Sequence, residues 1–511
     1  MRPMRLQRNA PRELAEPAVQ AAGRAREPAG TPGSAARERA RVRLVGVVLA
    51  IYLLAIFEGS IRKYVVPQFG QVVFFIRDPL LIYAFVLATR FGLWPRYSVF
   101  YRFSLFMAGF GVLLLGLQII VGGFSETRLL LGVYGWRAYF LYVPLACLVG
   151  AQFRAADIAR FARVTLLLAV PIAVLVAFQF SSPMDSVINV GIAAEKELQF
   201  QGLGLNADRI RATGTFTSSA GQQQFVVTAC VFALAFLLLP TGPGRPRGWT
   251  LALASAAILT CVALGGSRGT TLQCALSGLY ALSIGFIGRG AALKAKAIAL
   301  PSMLGLTALV LYPIVFPAGF DAFVERWNSA AAVETAFEGG VFGRALYGLV
   351  EFVRLIEQVP ALGYGLGYGG NASITLRATI DGVMPGLLAE NDYARHMVDI
   401  GPAFGIAYIV FRVVLVCWLL RQVVAITRRV ADPLPMMLFG YASYVLLLGQ
   451  LTGQGSINVY GWLFTGLCLA AVREAQPLVA SGVVPARAAR TLRRLTRAPG
   501  LRTLSRPARI P

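Results

Sequence analysis

Few residues in this 511-residue chain carry types and spacing suited to chemistry. Arg211 opens the stretch Arg-Ala-Thr-Gly-Thr-Phe, with Arg209 two residues before it. Arg268 sits in Gly-Gly-Ser-Arg-Gly. A planar guanidinium binds phosphate oxygens bidentately, so two of them converging would hold a diphosphate. The plain alternative for each is an arginine at the membrane interface with its head in water. A third group is Glu390-Asn-Asp-Tyr-Ala-Arg-His-Met-Val-Asp-Ile-Gly401, with three carboxylates and His396, the only histidine of the chain. Glu390 and His396 are the candidate general bases. Six residues apart on a helix, they fall on different faces and would not act as a pair. The run from Gly363 to Gly370 is glycine-rich, which suits a tight turn or close approach of backbone to another segment.

The elements that position these residues are apolar. Of the chain, 57% is hydrophobic and 14% charged, which excludes an ordinary soluble domain at about 25% charge. Apolar runs at 44–60, 79–94, 103–122, 131–150, 164–180, 223–240, 250–265, 270–287, 297–317, 401–420, 434–450 and 458–472 predict about twelve transmembrane helices in one all-α polytopic membrane domain, 44–473. Basic tails, 1–43 and 474–511, are expected to be disordered against anionic lipid rather than bound to nucleic acid.

The net charge of +24 is unevenly spread. The tails and the connections near 90–102, 151–163, 241–249, 288–296 and 421–432 hold 33 Lys/Arg and 7 Asp/Glu, and the remainder holds 15 and 17. By the positive-inside rule both termini are expected in the cytoplasm. The two long connections, 181–222 and 318–400, then face outward. The second is expected to be helical: Phe320, Phe323 and Trp327 recur at helical spacing, as do Leu346, Leu349, Val353 and Ile356. These helices should lie on the outer membrane surface or cap the bundle. Within the spans only Arg412 lies clearly inside an apolar run. That argues against an ion-coupled transporter, which needs ionisable groups at membrane depth. The six cysteines lie in apolar spans without metal-ligand spacing.

At these residues the chain resembles the O-antigen ligase and Wzy-type O-antigen polymerase superfamily. That family has an arginine motif before the sixth span, Ser-Arg-Gly between the seventh and eighth, and a large periplasmic loop after the ninth. Arg211, Arg268 and residues 318–400 match these. The loop pattern of an arginine followed by Pro-x-x-Gly-x-Gly-x-Gly matches Arg344, Pro360, Gly363, Gly365 and Gly367. The closing motif matches Glu390, Asn391, Tyr393, Asp399 and Gly401, with Glu390 where ligases typically place the histidine. This departure resembles a polymerase-like member more than a strict ligase. Residues 57–63 and Arg77-Asp78-Pro79 also resemble a subgroup of polysaccharide polymerases.

The resemblance implies an inverting glycosyltransferase of the bacterial inner membrane. Its substrates would be an undecaprenyl-diphosphate-linked oligosaccharide and an acceptor glycan, its surroundings membrane lipids, and its partners other glycan-assembly proteins. Arg211 and Arg268 would bind the diphosphate, and Glu390 or His396 would be catalytic. Arg344, Asn391, Tyr393, Gly365 and Gly367 would support them, with no cofactor or obligatory metal. Polymerase, ligase and protein-glycan transferase differ in acceptor only. The alternative of another class is a non-enzymatic polysaccharide or lipid transporter, marked by a cavity opening alternately to both sides.

Overall fold

The computed structural model describes residues 32–189, 210–240, 245–334, 340–375, 380, 384–389 and 391–480. The described residues form helices without strands: α1 (Pro32–Ser60), α2 (Arg77–Arg90), α3 (Val99–Gly122), α4 (Glu126–Trp136), α5 (Val143–Gln152), α6 (Ala155–Ser181), α7 (Ser219–Leu238), α8 (Gly248–Leu264), α9 (Arg268–Ile287), α10 (Ala291–Val315), α11 (Pro317–Glu334), α12 (Gly340–Leu355), α13 (Asp392–Thr427), α14 (Leu434–Leu448) and α15 (Gly455–Ala480). Two π-helical turns, Ile61–Val65 and Arg137–Leu141, follow α1 and join α4 to α5.

Each of the twelve apolar runs falls in helix apart from a few end residues, and several of the helices run well past it. Among the described residues, nine helical stretches are long and apolar enough to cross a membrane. The runs in α2, α8 and α14 form helices of 14, 17 and 15 residues, short of the roughly 20 residues that a full crossing needs. The chain is therefore a multi-pass membrane protein by composition and helix length.

The core is organised around α15. Trp462, Leu463, Phe464, Leu467 and Cys468 are wholly buried, and α15 packs on α5, α14, α7 and α13. At the periphery the pattern inverts. Along α10, Met303, Leu306, Leu309, Val310 and Ile314 are exposed, and along α3 so are Phe106, Leu113, Ile120 and Val121. Such a belt is what a lipid-facing surface presents, since hydrocarbon is as apolar as the side chains.

Residues 32–43 and 474–480, read from the sequence as parts of the tails, are helical. Residues 32–43 belong to α1: Ala40 is buried and the Arg41 guanidinium donates to Asp157 at 2.6 Å. At the other end α15 runs to Ala480, tied down by Arg473, which donates to the carbonyls of Gly150 (2.6 Å) and Phe153. Basic residues here cap helix ends, which residue counting cannot foresee.

Connection 318–400 is partly helical, through α11, α12 and the start of α13. On α11, Phe320 and Phe323 pack on Tyr312, with ring centroids 5.4 and 6.0 Å apart. The stripe anticipated on α12 is only partly covered by protein. Leu349 and Val353 are exposed, whereas Glu351 and Leu355 are buried; Leu355, Phe352 and Ile356 pack on Ala394, Met397 and Val398. Helical spacing names a stripe, but the neighbouring element decides which stripe is covered.

Candidate functional site

The segment before the tenth apolar run folds back on that run. Residues 392–400 form about two and a half helical turns that stop at Gly401, whose φ of 75° and ψ of 167° break the helix ahead of Pro402. The halves then pack on each other. A Cβ on Gly405 would lie 2.5 Å from Met397 Cε and 3.0 Å from the His396 carbonyl oxygen. This return brings Asp392 beside Arg412, with Nη1 donating to Oδ2 at 2.5 Å.

Both charges are saturated. Arg412 also donates from Nε to the Leu446 carbonyl (2.5 Å) and from Nη2 to the Gly449 carbonyl (3.0 Å). It thereby caps the last turn of α14, where carbonyls lack intrahelical partners. Asp392 accepts from the backbone of Leu451 (3.1 Å), the backbone of Thr452 (3.1 Å) and the Thr452 hydroxyl (2.7 Å). The intramembrane arginine noted in the sequence is thus a helix cap with a dedicated counter-ion.

His396 is fully buried. Its Nε2 lies 3.0 Å from Arg412 Nη1, and its Nδ1 lies 2.9 Å from the Tyr139 hydroxyl. A guanidinium can only donate, so Nε2 accepts, and the neutral ring carries its proton on Nδ1. The Tyr139 hydroxyl then accepts from Nδ1 and donates to Asp399 Oδ2 at 3.1 Å. Asp399 Oδ1 accepts from the Gly369 backbone at 2.6 Å. Both imidazole nitrogens are engaged, which suits a structural link better than a base that must reach a substrate hydroxyl.

The glycine-rich run is a clamp. Gly363, Gly365 and Gly367 have φ of +72°, +134° and +84°, values that cost strain in any other residue. A Cβ on Gly367 would lie 2.1 Å from the Leu131 carbonyl oxygen, and one on Gly363 2.7 Å from Gly401 N. The loop is tied to α13 by Tyr364 N to Val398 O (2.7 Å) and by Arg395 Nε to Gly369 O (2.7 Å). Gln118 of α3 closes it, donating to the carbonyls of Leu362 (2.8 Å) and Asp399 (2.9 Å) and accepting from Leu366 N (3.0 Å).

Arg211 and Arg268 come from separate elements to neighbouring positions. Burial, and then the positive charge of Arg268, pull the Arg211 guanidinium below its ordinary value. Arg211 Nε is buried without a hydrogen-bond acceptor among the described residues. Arg268 is the first residue of α9, capped by Ser267, whose hydroxyl accepts from Thr270 N at 3.3 Å. Its Cζ lies 5.5 Å from the centre of the Trp327 ring of α11. The end of α1 supports the Arg211 loop: Lys63 Nζ donates to Thr213 Oγ1 at 3.1 Å, and a Cβ on Gly59 would meet the Thr215 carbonyl at 2.4 Å. Two like charges held together raise each other's energy, an arrangement suited to an anion.

Of the other residues singled out in the sequence, Asn391 Nδ2 donates to Glu351 Oε2 at 2.6 Å. Tyr393 lies under the Arg412 guanidinium, 5.2 Å from Cζ to ring centre. Glu390, Arg209 and the side chain of Arg344 lie outside the described residues. The sequence reading missed Asp392, Arg395 and Tyr139 as parts of one network. A signal existed for three members, since Asp392, His396 and Asp399 recur at four- and three-residue spacing on one helix face. Comparison of the chain with protein-family models and with curated proteins finds no match.

Proposed function

We propose that the chain is a glycosyltransferase that polymerises or transfers an undecaprenyl-diphosphate-linked glycan at the periplasmic face of a bacterial inner membrane. The observation that carries this reading is Arg211, whose Nε is buried without an acceptor among the described residues and which feels the positive charge of Arg268 from a separate element. In this reading twelve helices cross the membrane, counting the three shorter ones, and the Lys/Arg bias keeps both termini cytoplasmic.

The reaction would run by inversion. An acceptor hydroxyl oxygen attacks the anomeric carbon, and the bond from that carbon to the diphosphate oxygen breaks. The diphosphate departs with the electron pair, neutralised by Arg211 and Arg268. Donors aimed at developing charge commonly supply about 3–4 kcal/mol each. The hydroxyl proton passes to Glu390, which the family resemblance places at the base position. His396 is the weaker choice, because Arg412 and Tyr139 hold both of its nitrogens.

The test is deletion of the gene followed by analysis of surface polysaccharide length, with complementation by the wild type and by Arg268→Ala. Loss of long-chain polymer, restored by the wild type only, is expected. Unchanged polysaccharide on deletion would refute the transferase reading. Reporter fusions at residue 335 and in the C-terminal tail check orientation, and periplasmic activity at the tail would overturn it.

A further inference from the structure

Three arginines outside this account meet at the π-helical turns and the start of α2. Such turns are rare and often mark functional sites. Arg62 lies in the first, Arg137 opens the second and Arg77 opens α2. Their protein acceptors are few. Glu58 offers its two oxygens to Arg77 (Nε at 3.0 Å) and Arg62 (Nη1 at 3.6 Å). Asp78 Oδ2 accepts from Arg137 Nε at 2.5 Å, and Oδ1 accepts from the Tyr142 hydroxyl at 2.8 Å.

With those oxygens used, donors remain. Arg62 Nε, Arg77 Nη1 and Arg137 Nη2 are buried without a hydrogen-bond acceptor among the described residues. Arg77 is 1% exposed and Arg137 6%. Each buried donor left unmade costs about 1–3 kcal/mol. Arg412, by contrast, has an acceptor for each of its nitrogens.

The surroundings add positive potential. Three guanidinium groups face two carboxylates, and Lys63 adjoins Arg62. The Tyr134 ring packs on Phe74, with ring centroids 6.0 Å apart. The first residue of α15, Gly455, stands so close that a Cβ there would lie 3.3 Å from Arg77 Nη2 and 3.0 Å from the Phe74 ring. The partly positive N-terminus of a long helix therefore adjoins the cluster. Phe74 walls it, with the Arg137 Cζ 4.8 Å and the Arg62 Cζ 5.8 Å from its ring centre.

We infer that Arg62, Arg77 and Arg137 form a second oxyanion site, which binds a phosphoryl or diphosphoryl group. A phosphoryl group brings about −1.5 to −2 charge and three strong acceptor oxygens. That matches the excess charge and the orphaned donors together. Lys63, bonded to Thr213, links this site to the Arg211 loop. Two diphosphate sites side by side would serve a reaction whose donor and acceptor are both carried on diphosphate, which among the transferases considered is polymerisation. The site itself does not depend on the transferase reading.

The test is calorimetric binding to the purified full chain in detergent, using inorganic pyrophosphate and farnesyl diphosphate as probes. The Arg211→Gln/Arg268→Gln background removes the first pair. Saturable binding is expected to remain there, and Arg62→Gln and Arg77→Lys are each expected to weaken it at least about tenfold, the loss of one charged hydrogen bond. Arg77→Lys keeps the charge opposite Glu58, and Arg62 is partly exposed, so the two variants probe the site with different demands on folding. Arg154→Gln, at the distant Glu38 pair, should leave affinity unchanged. Binding of neither probe in that background, or undiminished affinity in both site variants, would overturn the inference. Tighter binding of farnesyl diphosphate identifies a lipid-carried diphosphate, and equal affinity identifies free phosphate groups. No glycan is transferred in this assay, so its failure leaves the proposed function standing, and an inactive chain that still binds leaves this site standing.

Discussion

Arg412 and Arg77 are both fully buried, and each stands beside the connection between α14 and α15, Arg412 at Gly449 and Arg77 at Gly455. Their surroundings differ in one respect. Around Arg412 the protein supplies an acceptor for every nitrogen and a counter-ion that is itself fully hydrogen-bonded. Around Arg77, Arg62 and Arg137 the acceptors run out before the donors do. The Arg211 loop belongs with the second kind. A buried charge completed by its own chain holds the fold together. One left incomplete is positioned for something that arrives from outside.

The sharpest way to break this comparison is at Asp392. Removing one partner of a buried ion pair costs about 3–5 kcal/mol, so Asp392→Asn should sharply lower the thermal unfolding temperature or abolish monodisperse protein. An unchanged unfolding temperature would mean that the Arg412 network is not structural. On the other side, Arg268→Ala should leave elution and expression intact while lowering glycan product by about 100-fold, the scale of losing one donor to developing charge. Arg268→Lys should recover little, since a point charge lacks the guanidinium fork; full recovery would dismiss bidentate binding.

A smaller effect is expected at the clamp. Gly367→Ala forces a side chain onto the Leu131 carbonyl in a backbone region with φ of +84°, at a cost of about 1–3 kcal/mol, measurable as a lower midpoint of thermal unfolding. The smallest effect separates the two candidate bases. His396→Gln keeps one donor and one acceptor, so stability should fall by only about 1 kcal/mol, with glycan product nearly unchanged at matched expression. Loss of a general base costs about 100- to 10,000-fold, and that loss is expected in Glu390→Gln. The reverse pattern would make His396 the base and move its network into the catalytic account.

How far the site was legible in the sequence follows the same division. Arg211 and Arg268 could be singled out by residue type and, for Arg268, by the glycines around it, but not which groups surround them. The clamp was readable as a turn, since alternate glycines mark backbone that other residues strain to adopt. What it clamps was not readable. Its partners on Gln118, Leu131 and Val398 come from three separate helices. The α12 stripe was readable as a stripe, but period alone does not say which of its residues a neighbour will cover.

The sequence by itself determined that this is a helical, multi-pass protein with a strong charge bias between its connections. Apolar runs of sufficient length must be buried or lipid-facing, and their backbone must satisfy itself within each run. These are local properties, written in consecutive residues. Only the tertiary structure decided which buried charges are complete. Asp392 finds Thr452 across 60 positions, His396 finds Tyr139 across 257, and Gln118 finds Asp399 across 281. No periodicity spans such distances, because a hydrogen bond depends on where two helices pass each other, and that is set by the packing of all the helices between them.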